Sequence, residues 1–288
     1  MKQKDRNGNL IEKKDGQQKM LAFLYGTAFG RILLKPLTCS AISKAAGWFL
    51  STRASRIFIK SFIRKHSIDM TQFAPGPYRN YNAFFCRQIR PELRPVDTEP
   101  THFISPCDSK LTVLPITEQT RFTLKHTEYS VASLLKNEEL ARQYTGGYAM
   151  IFRLTVDDYH RYCFVADGSC TPCVKLAGKL HTVNPIANDY FPIYKENSRE
   201  YSVLHSKEFG DIVMMEVGAL LVGKIVNHPV TEATRGQEKG YFQFGGSTVV
   251  LLTKANTVQL DGDILDNSAE GIETIVKYGQ KIGCRMED

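Results

Sequence analysis

The sequence predicts an α+β protein, a β-rich body that carries an N-terminal layer of amphipathic helices. Three observations carry that expectation. From Lys19 to His66 apolar residues recur at helical spacing, with Leu21, Leu24, Tyr25 and Ala28 on one face, then Ile32, Leu33 and Leu37, then Ile42, Ala45, Trp48 and Phe49. From about Phe103 onward the chain changes to short apolar or β-branched runs separated by turn residues. Within that second part only Tyr129 to Tyr144 has a helical pattern, so strands and helices do not alternate as βαβ units.

Taken in order, residues 1–17 are polar and are expected to fray, and Gly30, Pro36 and Gly47 are expected to divide the helical layer. Pro75, Pro77 and Pro91 punctuate the passage into the body. Strands are expected at LTVLPI (from 111), YAMIFRLTV (148), RYCFVA (161), CVKLAG (173), DIVMMEVGALLVGKIV (211) and STVVLL (247), and Ser130 or Ser133 is available to cap the Tyr129–Tyr144 helix. Two regions follow: a helical region over 1–70 and a β-rich domain over 71–288.

Charge separates the same two regions. Residues 1–66 hold 14 Lys and Arg against Asp5, Glu12 and Asp15, a net of +11 that leaves −4 on the remainder. Between Gly16 and Ser67 there is no acidic residue, while Lys19, Arg31, Lys35, Lys44, Arg53, Arg56, Lys60, Arg64 and Lys65 interleave with Leu, Phe, Ile and Trp. Such a layer suits the headgroup region of an anionic membrane, where each basic residue contributes about 1 kcal/mol. Packing on the body with a solvated basic face is the plainer reading, and nucleic acid the third, since a basic stripe attracts any polyanion.

At 288 residues and 42% hydrophobic content the chain can bury a substantial core. It has no uncharged apolar stretch of about 18 residues and no secretory leader pattern, so a cytoplasmic location is expected. Seven scattered cysteines suggest reduced thiols, and Cys170 with Cys173 has no second pair with which to complete a zinc site, so no metal is expected.

Reactive groups gather in three stretches. Asp108 lies in ISPCDSKL; Asp157, Asp158 and His160 lie in TVDDYHRYCF; Ser247 lies in YFQFGGSTVVLL. An Asp, a His and a Ser can form a relay in which the carboxylate orients the imidazole and the imidazole takes the hydroxyl proton. Each also has a plain structural use: an Asx turn for Asp108, a core histidine for His160, and a Gly-Gly hairpin around residues 245–246. A Ser-His-Asp lipid hydrolase would need Ser247 on a G-x-S-x-G elbow between strand and helix, and GGSTVV runs into a strand instead. The other chemistry is directed inward, with the Ser247 hydroxyl attacking the preceding Gly246 carbonyl, where glycine tolerates the unusual dihedrals required.

Together the stretches SPCDSKL, DDYHRYCF, TVNPIAN (from 182), VGALLVGKI (from 217) and GGST resemble the phosphatidylserine decarboxylase proenzymes, over about residues 70–285 and in the family's order. The helical layer is also similar to that of the shorter bacterial members. One departure is Ser109, where the family often has Gly after the Asp. The resemblance implies self-cleavage between Gly246 and Ser247 into a β chain (1–246) and an α chain (247–288), with Ser247 converted to a pyruvoyl group. It implies Asp108, His160 and Ser247 as catalytic residues, with Asp158 and His181 in support. The pyruvoyl group would accept the electron pair released as phosphatidylserine loses carbon dioxide and becomes phosphatidylethanolamine. The implied partners are phosphatidylserine in an anionic membrane and the two cleavage chains themselves; a homodimer stays open and no nucleic acid is expected. The implied location is peripheral, on the cytoplasmic face of the cell membrane.

Overall fold

The computed structural model describes residues 2–12, 18–38, 40–124, 127–182, 187, 190–219, 224–244 and 247–287. Gly245 and Gly246 therefore lie outside the described residues, as do 183–186 and 188 of TVNPIAN and 220–223 of VGALLVGKI.

The helical layer consists of α1 (Gln18–Gly26), α2 (Ala28–Leu37), α3 (Ser40–Leu50) and α4 (Ile57–Lys65), followed by the short α5 (Tyr81–Phe85). The breaks do not fall where the sequence suggested: Gly30, Pro36 and Gly47 are all inside helices. Gly30 is there because a Cβ would sit 2.1 Å from the Phe23 carbonyl oxygen, so only glycine lets α1 and α2 meet so closely.

The strands are β1 (Lys2–Lys4), β2 (Leu10–Glu12), β3 (His102–Ile104), β4 (Ser109–Pro115), β5 (Arg121–Leu124), β6 (Thr127–Ser130), β7 (Tyr148–Leu154), β8 (Arg161–Cys163), β9 (Gly168–Cys170) and β10 (Val174–Leu176). They continue as β11 (Arg199–Ser206), β12 (Gly210–Val217), β13 (Lys224–Asn227), β14 (Glu232–Ala233), β15 (Glu238–Gln243), β16 (Ser247–Thr253), β17 (Val258–Leu260), β18 (Glu273–Val276) and β19 (Lys281–Arg285). The main sheet runs β14-β9-β11-β12-β16-β7-β4-β18-β1-β2, with β10 also on β11. Its pairs are antiparallel except β1 with β18. Two three-stranded sheets, β13-β15-β8 and β17-β19-β3, and the β5-β6 pair complete the body. The expected α+β class holds, with strands predominating. Residues 2–4 and 10–12 do not fray; they extend the main sheet.

β16 lies at the centre of the main sheet, and its composition explains why. Val249 and Leu251 point into one core cluster while Val250 and Leu252 point into the other. A strand buried on both faces reads as a continuous apolar run rather than an alternating one, and each such side chain contributes about 1.5–3 kcal/mol when fully buried.

Two local expectations are corrected. Tyr129–Tyr144 is not one helix: β6 passes into α6 (Val131–Leu135), Lys136 turns left-handed at φ 50°, and α7 (Glu138–Arg142) follows. Ser130 caps the first helix and Asn137 the second, each side chain accepting a backbone N–H. The second correction concerns the two arms of YFQFGGSTVVLL, which are not partners in a hairpin. β15 pairs with β13 and β8, whereas β16 pairs with β12 and β7, so the two arms belong to different sheets.

Candidate active site

Ser247 is the first residue of β16 and is fully buried. Its register partner across the sheet is Leu154 of β7, and Thr248 beside it faces Val217 of β12. His160 reaches it from the loop before β8, with Nδ1 3.5 Å from Ser247 Oγ. That is the outer limit of a hydrogen bond, a separation that catalytic pairs commonly show before reaction tightens them.

Several contacts hold the imidazole. The His160 carbonyl accepts the Phe242 N–H of β15 at 2.9 Å, and the ring stacks on Phe85 at 4.2 Å between centroids. Phe244 packs edge-on against Phe85 and Tyr81, closing an apolar aromatic wall. Burial pushes the His160 pKa from its ordinary 6.5 down to about 3, helped by the nearby Arg87 charge and opposed by Asp157 and the Thr155 backbone. The ring is thus neutral at physiological pH. A neutral imidazole beside a buried hydroxyl can take its proton, which an imidazolium cannot.

The two carboxylates stand in different places from those the relay requires. Asp108 is nearly fully buried in the turn before β4, but its partner is Arg94, with Nε to Oδ1 at 2.8 Å and Nη2 to Oδ2 at 2.6 Å. It also accepts the Tyr278 N–H at 2.9 Å. No hydrogen bond joins Asp108 to His160 among the described residues, so the expected direct orientation is not formed. The connection is indirect, because the Tyr278 backbone held by Asp108 sets the Tyr278 ring 6.0 Å from Tyr159, the neighbour of His160.

Asp158 closes the turn just before His160. It accepts Lys110 Nζ at 2.7 Å and the Thr155 N–H at 2.6 Å, and Lys110 also reaches Thr155 Oγ1 at 2.8 Å. Lys110 is buried and Asp158 partly so, and their pair ties the turn to β4, where Lys110 lies opposite Arg153 of β7. The residues that hold Asp108 and Asp158, Arg94 and Lys110, carry no local signal in the sequence.

His181 lies elsewhere. It is buried against α1 and Phe191, stacked on Phe191 at 4.7 Å and tilted against Tyr25 at 6.0 Å, with Nε2 3.5 Å from Glu196 Oε2. Burial lowers its pKa. No described contact links it to Ser247 or His160. Asn197 binds its backbone at both N–H and carbonyl and also donates to the Gly218 carbonyl at 2.7 Å, joining this loop to the end of β12. Sequence reasoning did not single out Asn197, Phe85 or Arg87; for Arg87 the signal was a lone charge inside the aromatic run YNAFFCRQI.

No group of three or more His, Cys, Asp or Glu with metal-binding geometry occurs among the described residues. Cys170 and Cys173 are free thiols.

Fold and site together define a class: an α+β protein with a solvent-excluded serine–histidine pair at the head of a central strand, beneath a layer of amphipathic helices. The family profile described as phosphatidylserine decarboxylase matches residues 81–284. The chain is 46% identical over 271 residues to phosphatidylserine decarboxylase proenzyme 2 of Clostridium acetobutylicum, covering 94% of this chain and 92% of that one. It is 40% identical over 282 residues to a phosphatidylserine decarboxylase proenzyme of Clostridium botulinum (96% and 95% covered), and 39% identical over 272 residues to one of Ruminiclostridium cellulolyticum (92% and 91% covered). The chain belongs to the phosphatidylserine decarboxylase family.

Proposed function

We propose that this chain is a self-processing decarboxylase of phosphatidylserine that releases carbon dioxide and leaves phosphatidylethanolamine, acting in phospholipid biosynthesis. The observation that carries the reading is the buried Ser247–His160 pair at the head of β16, within a chain of this family. A hydrolase would need an exposed serine elbow, and Ser247 is neither exposed nor followed by a helix.

In the processing step His160 takes the Ser247 hydroxyl proton as Oγ attacks the Gly246 carbonyl. The C–N bond breaks, an ester forms, and the proton passes to the Ser247 nitrogen. Loss of the Ser247 α-proton then expels the Gly246 carboxylate and leaves dehydroalanine. Tautomerisation and attack by water release ammonia, so residue 247 becomes a pyruvoyl N-terminus. Asp158 and Asp108 act as positioning residues, Asp158 by closing the turn and Asp108 through Tyr278. His181 supports the neighbouring loop.

The position of Ser247 fits such a group, since a buried strand end beside His160, whose ring stacks on Phe85, shields it from bulk solvent. The pyruvoyl carbonyls would supply an electron sink for the pair left when carbon dioxide departs. His160, whose Nδ1 lies 3.5 Å from Ser247 Oγ, is the group we assign to carry a proton to the former α-carbon, taking it up first because the ring rests neutral.

Intact mass tests this reading. The active protein is expected as two chains, the smaller starting at residue 247, lacking a free N-terminal amine and labelled by carbonyl reagents. A single unprocessed chain in active protein would refute it.

The helices within residues 1–70 form the membrane-docking region in this reading. Phe29, Ile32, Trp48 and Ile57 are 62–74% exposed, beside Arg31, Arg53 and Arg56, an apolar and basic surface suited to peripheral attachment. No helix among the described residues is long and apolar enough to cross a membrane. The inner faces of α1 and α2 contribute Leu21, Tyr25 and Leu34 to the core, and α4 packs Phe62 on Tyr81 and Phe84. Removing the layer would therefore damage the body, and surface substitutions are the better test. The double variant Trp48→Asp with Ile57→Asp is expected to weaken sedimentation with anionic vesicles by at least about tenfold, given that burial of such side chains contributes a few kcal/mol. Unchanged binding would remove the docking role.

A further inference from the structure

Arg87 follows the C-terminus of α5 and is 3% exposed. Its guanidinium lies over Phe73 at 4.1 Å and over Phe84 at 4.7 Å. One weak bond, Nη1 to the Phe84 carbonyl at 3.4 Å, is its hydrogen bonding within the described residues; Nε and Nη2 are buried and have no partner there. Other deeply buried cations in this protein are satisfied: Lys110 pairs with Asp158, Arg153 with Glu273 and Lys239 with Glu216, and Arg199 donates to the carbonyl oxygens of Ser133, Leu134, Lys195 and Asn197. An unpaired guanidinium inside a protein is costly, because the desolvation of its charge is not offset. Burial lowers the Arg87 pKa to about 10, so it stays charged.

Its place in the fold indicates what would complete it. On one side Phe84 packs against Phe62 of α4, in the basic helical layer. On the other, Phe85, the next residue of the same helix, stacks on His160, whose Nδ1 faces Ser247. The guanidinium therefore packs on a ring that reaches the outer layer, and the next residue of the same helix carries the ring that bears on the reacting histidine. Phosphatidylserine has the same order along its length, with acyl chains and glycerol first, then the phosphodiester, then the serine that reacts. We propose that Arg87 is the receptor for the phosphodiester of the lipid headgroup, bound through Nε and Nη2, an inference that rests on the decarboxylase reading above.

The headgroup offers a second anion, the carboxylate, and the chemistry decides between them. The carboxylate charge disappears as carbon dioxide leaves, so a guanidinium bound to it would stabilise the ground state more than the transition state and slow the reaction. The phosphodiester keeps its charge from substrate to product. Binding it holds the serine in place at no cost to the barrier, and a guanidinium fork matches two phosphate oxygens.

The test compares wild type with Arg87→Gln, both in processed form as confirmed by mass. Turnover of soluble dihexanoyl phosphatidylserine by the wild type decides the decarboxylase reading by itself. The inference is read separately, by calorimetric binding of glycerophosphoethanolamine, which has the phosphodiester and no carboxylate, and of L-serine, which has the reverse. Arg87→Gln is expected to weaken glycerophosphoethanolamine on the order of 10- to 100-fold, the usual range for a lost charge-assisted pair, with little change for L-serine. KM for dihexanoyl phosphatidylserine should rise in parallel while kcat changes less. Equal glycerophosphoethanolamine affinity in the two proteins, no binding by wild type, or a loss confined to L-serine would each overturn the assignment. Should Arg87→Gln fail to fold, Arg87→Lys carries the same test: it keeps the charge over Phe73 and Phe84 and loses the fork, so weakened affinity supports the proposal and wild-type affinity refutes it.

Discussion

Ser247→Ala is expected to remain a single chain of 32.5 kDa, with no carbonyl-reactive terminus and no decarboxylation. The reason is chemical, since alanine has no oxygen to accept the acyl group and no leaving group to eliminate. The fold should tolerate the change, because among the described residues Ser247 Oγ makes one long contact, to His160, whose loss breaks no strong hydrogen bond. Thermal unfolding close to that of wild type, together with uncleaved mass, is the expected pair of results. A hydrolase variant would lose activity with no change in mass pattern, because its wild type is never cleaved. Processing that persisted in Ser247→Ala would place the reactive bond elsewhere.

His160→Gln is expected to slow processing by about 10²- to 10⁴-fold, the usual contribution of a positioned general base. Time-resolved mass spectrometry of freshly expressed protein measures it. The pH dependence follows from the direction of the shift. With its pKa near 3, His160 stays neutral as pH falls from 8 to 5, so wild-type processing should show no acid limb near the ordinary histidine value of 6.5. An inflection there would mean that His160 is solvated or is not the base. Stability carries the opposite sign. Below 6.5 the unfolded chain binds a proton at His160 that the folded chain refuses, so this residue subtracts stability as pH falls toward 3, by up to about 1.4 kcal/mol per pH unit. In the Ser247→Ala background, where both proteins are single chains, adding His160→Gln should reduce the loss of Tm between pH 7.5 and pH 5.

The site was only partly legible in the sequence. Ser247 and His160 could be named because a Ser and a His near turns can form a relay, and family resemblance, not the local pattern, put them together. Asp108 was legible as a residue but not as a contact. Its partner Arg94 lies 14 positions earlier, and nothing local marks that arginine, rather than Arg90, as the one that takes the carboxylate. His181 shows the same limit: a loop histidine near a family motif was expected at the cavity, and it packs instead between Phe191 and Tyr25 of α1.

The sequence by itself determined the α+β class, the basic helical layer, and the strand at STVVLL, because hydrophobic periodicity and charge are properties of neighbours along the chain. Only the tertiary structure decided that YFQF and STVVLL belong to different sheets, that Arg94 and not His160 takes Asp108, and that Arg87 is buried with no carboxylate partner among the described residues. Each depends on which distant segments pack together, and a local pattern of glycine and apolar residues is compatible with several such pairings. The stretch that looks in the sequence like a hairpin joins strands of different sheets, β15 ending at Gln243 and β16 beginning at Ser247, and the place of β16 in the main sheet is what sets Ser247 Oγ beside the imidazole of His160.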